Sequence, residues 1–84
     1  MELTKQLNKA ARGLLEWSVK DQSGAAKIPL DTLRSFESGR TKRLNRDNEQ
    51  LAIKTFEASG LLFIPENGGG AGVRLRHASA GDEQ

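Results

Sequence analysis

Four interruptions, at Trp17-Ser18, Ile28-Pro29, Ser38-Gly39 and Gly60, cut the first 60 residues into short pieces and so decide what the chain can build. Pieces of this length hold a helix only by packing an apolar face on a neighbour, because isolated helices below about 12–15 residues are marginal in water. With 84 residues and no cysteine, disulfides, thiolate metal sites and thiol catalysis are all excluded. The length fits one small domain. A chain this short buries only about 60% of the surface it exposes when unfolded, so it gains from a partner.

Residues 3–16 place Leu3, Leu7, Ala10, Ala11, Leu14 and Leu15 at helical spacing, with Lys5, Asn8, Lys9, Arg12 and Glu16 mainly on other faces. Ser18, with Asp21 three positions on, has the form of an N-cap for a short helix from Val19 to Ala26. Ile28-Pro29 then breaks the chain, and Pro29 suits the first turn of a third helix running to Glu37. With Leu30 at 0° and an advance of about 100° per residue, Leu33 falls near 300° and Phe36 near 240°. Asp31, Arg34 and Ser35 then lie opposite the core, and Leu30 lies on the flank. Asn45 or Asp47 caps a fourth helix to Ser59, with Leu51, Ala52, Phe56 and Ile53 inward and Gly60 as its stop.

After Gly60 the period changes. Leu61-Leu62-Phe63-Ile64 is a continuous apolar run, and Val73-Arg74-Leu75-Arg76 alternates apolar and basic. The Gly-rich connection from Pro65 to Gly72 makes the pair a β-hairpin. Residues 77–84 contain no apolar side chain larger than Ala and read as a frayed tail. The expected organisation is a mainly α, four-helix domain over residues 1–60, a hairpin over 61–76 and a flexible tail over 77–84.

Charge is distributed unevenly. Residues 1–46 carry ten Lys and Arg against five Asp and Glu, a surplus of +5, whereas residues 47–84 carry three against six, a deficit of −3. Four of the positive charges fall in the stretch Arg40-Thr41-Lys42-Arg43-Leu44-Asn45-Arg46. An oriented field of this kind steers a polyanion to one face, although an unevenly charged solvated surface has the same composition. No apolar run approaches the roughly 20 residues of a membrane span, and the N-terminus has no signal-peptide pattern. A cytoplasmic module without a membrane is therefore expected.

Two short helices around a tight break, inside a small helical core, make a helix-turn-helix arrangement. Ser23, Gly24, Ala25 and Ala26 are small enough for close approach of the two helices. Leu14-Leu15-Glu16-Trp17-Ser18, Asp21, Ala26, Ile28-Pro29, Thr32-Leu33 and Phe36-Glu37-Ser38-Gly39 together resemble the Cro/phage-repressor (XRE) helix-turn-helix family over residues 5–60. The ending Phe-Ile-Pro-Glu-Asn-Gly-Gly-Gly with Gly-Val-Arg-Leu-Arg also resembles the tail of many small proteobacterial regulators in that family. The resemblance implies a homodimer on a palindromic or direct-repeat DNA operator, repressing or activating a neighbouring gene. By position it implies that Leu30, Asp31, Arg34 and Ser35 face bases. Ser18, Pro29, Thr32, Arg40, Thr41, Lys42 and Arg43 would lie near the DNA backbone. The hairpin residues Leu61, Leu62, Phe63, Ile64, Val73 and Leu75 are expected to form the dimer contact or to pack on the chain's own helices. Three positions depart from the family pattern: Val19 lacks a phosphate-donating amide, Gln22 replaces an apolar core residue, and Lys27 replaces the turn glycine.

Each side chain also has a plainer reading. Arg34 could fork onto guanine, or pair with Asp31 or Glu37. Asp31 could accept from cytosine N4, or serve as an N-terminal helix acid that repels phosphate. Leu30 could touch a thymine methyl or seal the core edge. Trp17 reads as core, since no second aromatic is interleaved with basic residues. Enzymatic readings fail on inventory, because His77 is the one histidine and lies in the tail. The segment from Gly68 to Gly72 lacks the Lys-Ser/Thr of a phosphate loop, and Val73 breaks the dinucleotide pattern. No cofactor is implied. A second class remains, an antitoxin-like or adaptor protein whose main partner is another polypeptide.

Overall fold

The computed structural model describes residues 1–77. Its elements follow the sequence breaks: α1 (Lys5–Leu15), α2 (Val19–Ala26), α3 (Leu30–Ser38), α4 (Arg46–Ala58), β1 (Leu61–Ile64) and β2 (Gly72–Leu75). The expected four helices and C-terminal hairpin are thus present. The eight-residue tail expectation lies, except for His77, outside the described residues.

The caps are local and specific. Thr4 accepts from the Leu7 N–H at the start of α1. Ser18 and Asp21 form a reciprocal capping box on α2, with Asp21 N–H donating to Ser18 Oγ at 3.0 Å and Ser18 N–H to Asp21 Oδ2 at 2.9 Å. Hydrogen bonding to Ser18, its backbone N–H first and its side chain second, holds the Asp21 carboxyl below its usual range. Asn45, rather than Asp47, caps α4, accepting from the Asn48 N–H at 2.8 Å. Pro29 is the N-cap of α3 rather than its first helical residue. Its carbonyl accepts the Thr32 and Leu33 N–H groups at 3.1 and 3.2 Å, which is the N-cap's backbone role.

The α2–α3 turn is built on Lys27, which stands in the left-handed region at φ 59°. Its N–H reaches the Ser23 carbonyl, and Ser23 Oγ donates back to the Ile28 carbonyl at 2.6 Å. Burial of Ile28 anchors the turn in the core and holds Lys27 in a conformation that costs a non-glycine residue about 1–2 kcal/mol.

One core runs through the helices and the hairpin, comprising Leu3, Leu7, Ala11, Ala26, Ile28, Leu33, Phe36, Leu44, Ala52, Ile53, Phe56, Leu61 and Phe63. Trp17 packs against it, its ring centroid 5.8 Å from that of Phe56, and Phe56 lies 6.1 Å from Phe63. Trp17 is therefore core-associated, as its lack of aromatic neighbours in sequence implied. Residues 1–60 and the hairpin share this core, because Leu61 and Phe63 are buried in it, Phe63 beside Phe56 of α4.

Three burial expectations are corrected. Ala10 and Leu14 are exposed, because the buried face of α1 is centred on Leu7, Asn8 and Ala11 and leaves both at its margin. Asn8, assigned to another face, is fully buried. On α4, Leu51 is 41% exposed, and Glu49 points inward in addition to Ala52, Ile53 and Phe56. The hairpin strands pair antiparallel with Leu61 opposite Leu75 and Phe63 opposite Val73. The second strand begins at Gly72, one residue earlier than the alternation suggested.

Candidate nucleic-acid interface

On α3, Leu33 and Phe36 are buried, whereas Asp31 and Arg34 are exposed and Leu30, Thr32 and Ser35 half-buried. The helical wheel thus placed the core side and the outward side correctly. Asp31, Arg34, Ser35, Ser38 and Arg40 line one shallow depression of about 450 Å³. Three of the four expected base-facing residues therefore share a surface with the first residue of the basic loop. Leu30, the fourth, begins α3 next to the exposed Pro29. The ion pairs among the described residues are Arg12–Glu37 and Arg43–Glu49, so Arg34 pairs with neither Asp31 nor Glu37.

The basic loop is shaped from inside. Gly39 caps α3 at φ 89° and turns the chain, the Thr41 N–H reaches back to the Ser35 carbonyl at 3.0 Å, and Leu44 is buried. Arg40, Thr41, Lys42 and Arg43 are all exposed as a result. They are not equivalent. Arg43 donates to Glu49 from Nε and Nη2, which raises its pKa further and leaves its fork partly engaged. Glu49 is itself buried and also accepts the Leu3 N–H at 2.9 Å, so it ties the N-terminal segment to α4 and to the loop. Ser18 is exposed, but its N–H is spent on Asp21, whose carboxylate sits beside it.

A buried polar cluster joins the elements behind this face. Asn8 and Gln22 exchange amide hydrogen bonds of 2.9 and 2.8 Å between α1 and α2. The Asn8 amide also donates to Glu37 on α3. Arg12 grips Glu37 with Nε and Nη2 at 2.9 and 2.6 Å, and its Nη1 donates to the Trp17 carbonyl at 2.9 Å. The fork–carboxylate geometry raises the Arg12 pKa above its ordinary value, mainly through the hydrogen bond to Glu37. Among the described residues no buried side-chain N or O lacks a partner. One cluster thus fixes α1, α2 and α3 relative to one another, in the low-dielectric interior where such bonds specify geometry. Of its members, Gln22 alone stands out in the sequence, as an amide at a position expected to be apolar.

On the hairpin, alternation divides the expected dimer residues. Leu61 and Phe63 are buried within the chain, and Val73 and Leu75 pack against the same core. Leu62 and Ile64 occupy the other face, half-buried, with the exposed Arg74 opposite Leu62.

These features define a mainly α domain with a C-terminal β-hairpin, consistent with a helix-turn-helix-like fold. No protein-family model and no curated protein matches the chain. No helix among the described residues is long and apolar enough to cross a membrane.

Proposed function

We propose that this chain is a sequence-specific double-stranded DNA-binding transcriptional regulator of the Cro/phage-repressor (XRE) kind, acting as a homodimer on an operator with repeated half-sites. The observation that carries the reading is the depression that gathers Asp31, Arg34 and Ser35 with Arg40 while leaving Arg34 without an acidic partner among the described residues. An exposed, unpaired guanidinium on the outward face of a short helix suits bidentate recognition of guanine O6 and N7. Asp31 would accept from cytosine N4, and Leu30 at the helix start would meet a thymine methyl. Arg40, Thr41 and Lys42 would hold phosphates, releasing counterions and making affinity salt-dependent. The role is binding without catalysis.

The dimer would use the outward face of the hairpin, Leu62 and Ile64, since Leu61 and Phe63 are filled from within the chain. A two-fold dimer would set half-sites about 34 Å apart.

The reading is tested by a gel shift on the chain's own upstream DNA at two salt concentrations. Sequence-specific binding that weakens steeply with salt supports it. Loss of specificity in Arg34→Ala, with uniform weakening in Lys42→Ala, would locate recognition on α3. Absence of any duplex binding would favour the polypeptide-partner class instead.

A further inference from the structure

The basic loop does not end at the surface of α3. Lys42 and Thr41 line a second depression, of about 250 Å³, together with Lys5, Thr4 and Gln6 at the start of α1 and with Gly39 and Glu2. The Lys5 side chain lies directly over Gly39, where an ideal Cβ would stand 2.9 Å from Lys5 Nζ. Gly39 therefore meets two demands at once: it adopts φ 89°, and it leaves the room through which Lys5 reaches the loop. Neither Lys5 nor Lys42 has a carboxylate within ion-pair distance among the described residues, whereas Arg43 next door is held by Glu49. Two lysines and a threonine thus line one depression beside Gly39, separate from the depression that holds Arg34 and Arg40.

The geometry points to Lys5, Lys42 and Thr41 as a second phosphate-binding station, formed by α1 and the α3–α4 loop, that takes a backbone phosphate flanking the bases read by α3. This deepens the DNA-binding reading above and rests on it. Two lysines that share one depression favour an anion there, and a DNA phosphate supplies that anion. The station carries no sequence information, because phosphates are the same at every base pair. Glu2, which also lines the depression, opposes the phosphate and moderates its binding.

The test is fluorescence anisotropy of the full-length chain with a mixed-sequence duplex of about two helical turns. Wild type is compared with Lys5→Gln, Lys42→Gln, Arg34→Ala and Glu2→Gln between about 50 and 200 mM salt. Lys5→Gln keeps most of the side-chain stem and removes the charge. It should lower the slope of log affinity against log salt by about 1 per bound protomer. The affinity lost by wild type over that salt range should then exceed the variant's loss by about 3.5-fold per protomer. Lys42→Gln should do the same, and Glu2→Gln should tighten binding. Thermal melting is followed in parallel, because Lys5 also sits at the carboxyl end of α3, where a cation favours the helix. A lowered melting temperature with an unchanged salt slope would make Lys5 a helix-end residue only and overturn the station. An unchanged slope in Lys5→Gln beside a reduced one in Lys42→Gln overturns the station but leaves DNA binding standing. No duplex binding by wild type would overturn both.

Discussion

The reciprocal Asn8–Gln22 amide pair is the place where a single change should propagate furthest. Both side chains are fully buried. Asn8→Val removes the two amide bonds to Gln22 and one donor from Glu37, leaving the Gln22 amide with neither partner. A buried polar group left unsatisfied costs about 1–3 kcal/mol, so the loss should be about 2–4 kcal/mol in all. In a domain this small each 1 kcal/mol shifts the midpoint by about 4–8 °C, which makes Asn8→Val a severe variant. Gln22→Leu should cost about 1–3 kcal/mol, because Asn8 keeps its bond to Glu37 and loses both bonds to Gln22. The double variant Asn8→Val/Gln22→Leu removes both amides together. Glu37 then retains the two bonds from Arg12, so the double should lie within about 1.5 kcal/mol of wild type. Urea unfolding of the four proteins at neutral pH gives the coupling energy directly, and it should be about 2 kcal/mol or more in the compensating sense. Strictly additive losses would refute the claim that the two amides satisfy each other.

Other perturbations probe other links. Lys27→Gly should relieve the left-handed backbone, worth about 1–2 kcal/mol, against about 0.5–1 kcal/mol of added chain entropy, so thermal melting should show no loss and a modest gain. Removal of the capping carboxylate by Asp21→Asn should destabilise at neutral pH. Because the folded-state pKa of Asp21 is depressed, its contribution is present above the unfolded value of 3.8 and fades as pH falls through the lower folded value. The melting difference between wild type and Asp21→Asn should therefore shrink toward pH 2. Phe63→Ala empties a core position and should cost about 3–4 kcal/mol by denaturant unfolding. Leu62→Lys, on the outward hairpin face, should leave melting of the monomer nearly unchanged while lowering the apparent mass in sedimentation if that face joins two copies.

The helices and hairpin were legible because their limits are written locally. Ser18, Asn45, Gly39 and Gly60 act within a few residues of themselves, and hydrophobic period separates α4 from β1. The outward face of α3 was legible for the same reason, since Leu33 and Phe36 fix the wheel. What the sequence did not reveal is long-range. Asn8, Glu37 and Glu49 are polar, so periodicity assigns them to solvent. They are buried because partners 14, 29 and 46 residues away along the chain satisfy them. Leu51 was misplaced by the complementary effect: Glu49, held by Arg43 and Leu3, takes the inward side of its turn. Gln22 was the available clue, an amide at a position where the resemblance leads one to expect a hydrocarbon.

The central claim, that the exposed face of α3 reads duplex DNA, is tested most directly by selection of the purified chain against random-sequence duplexes. The account predicts enrichment of a motif with two repeated half-sites about one helical turn apart, and a changed base preference within each half-site for Arg34→Ala. Enrichment of no sequence, or the same motif with the same base preferences from Arg34→Ala, would contradict it.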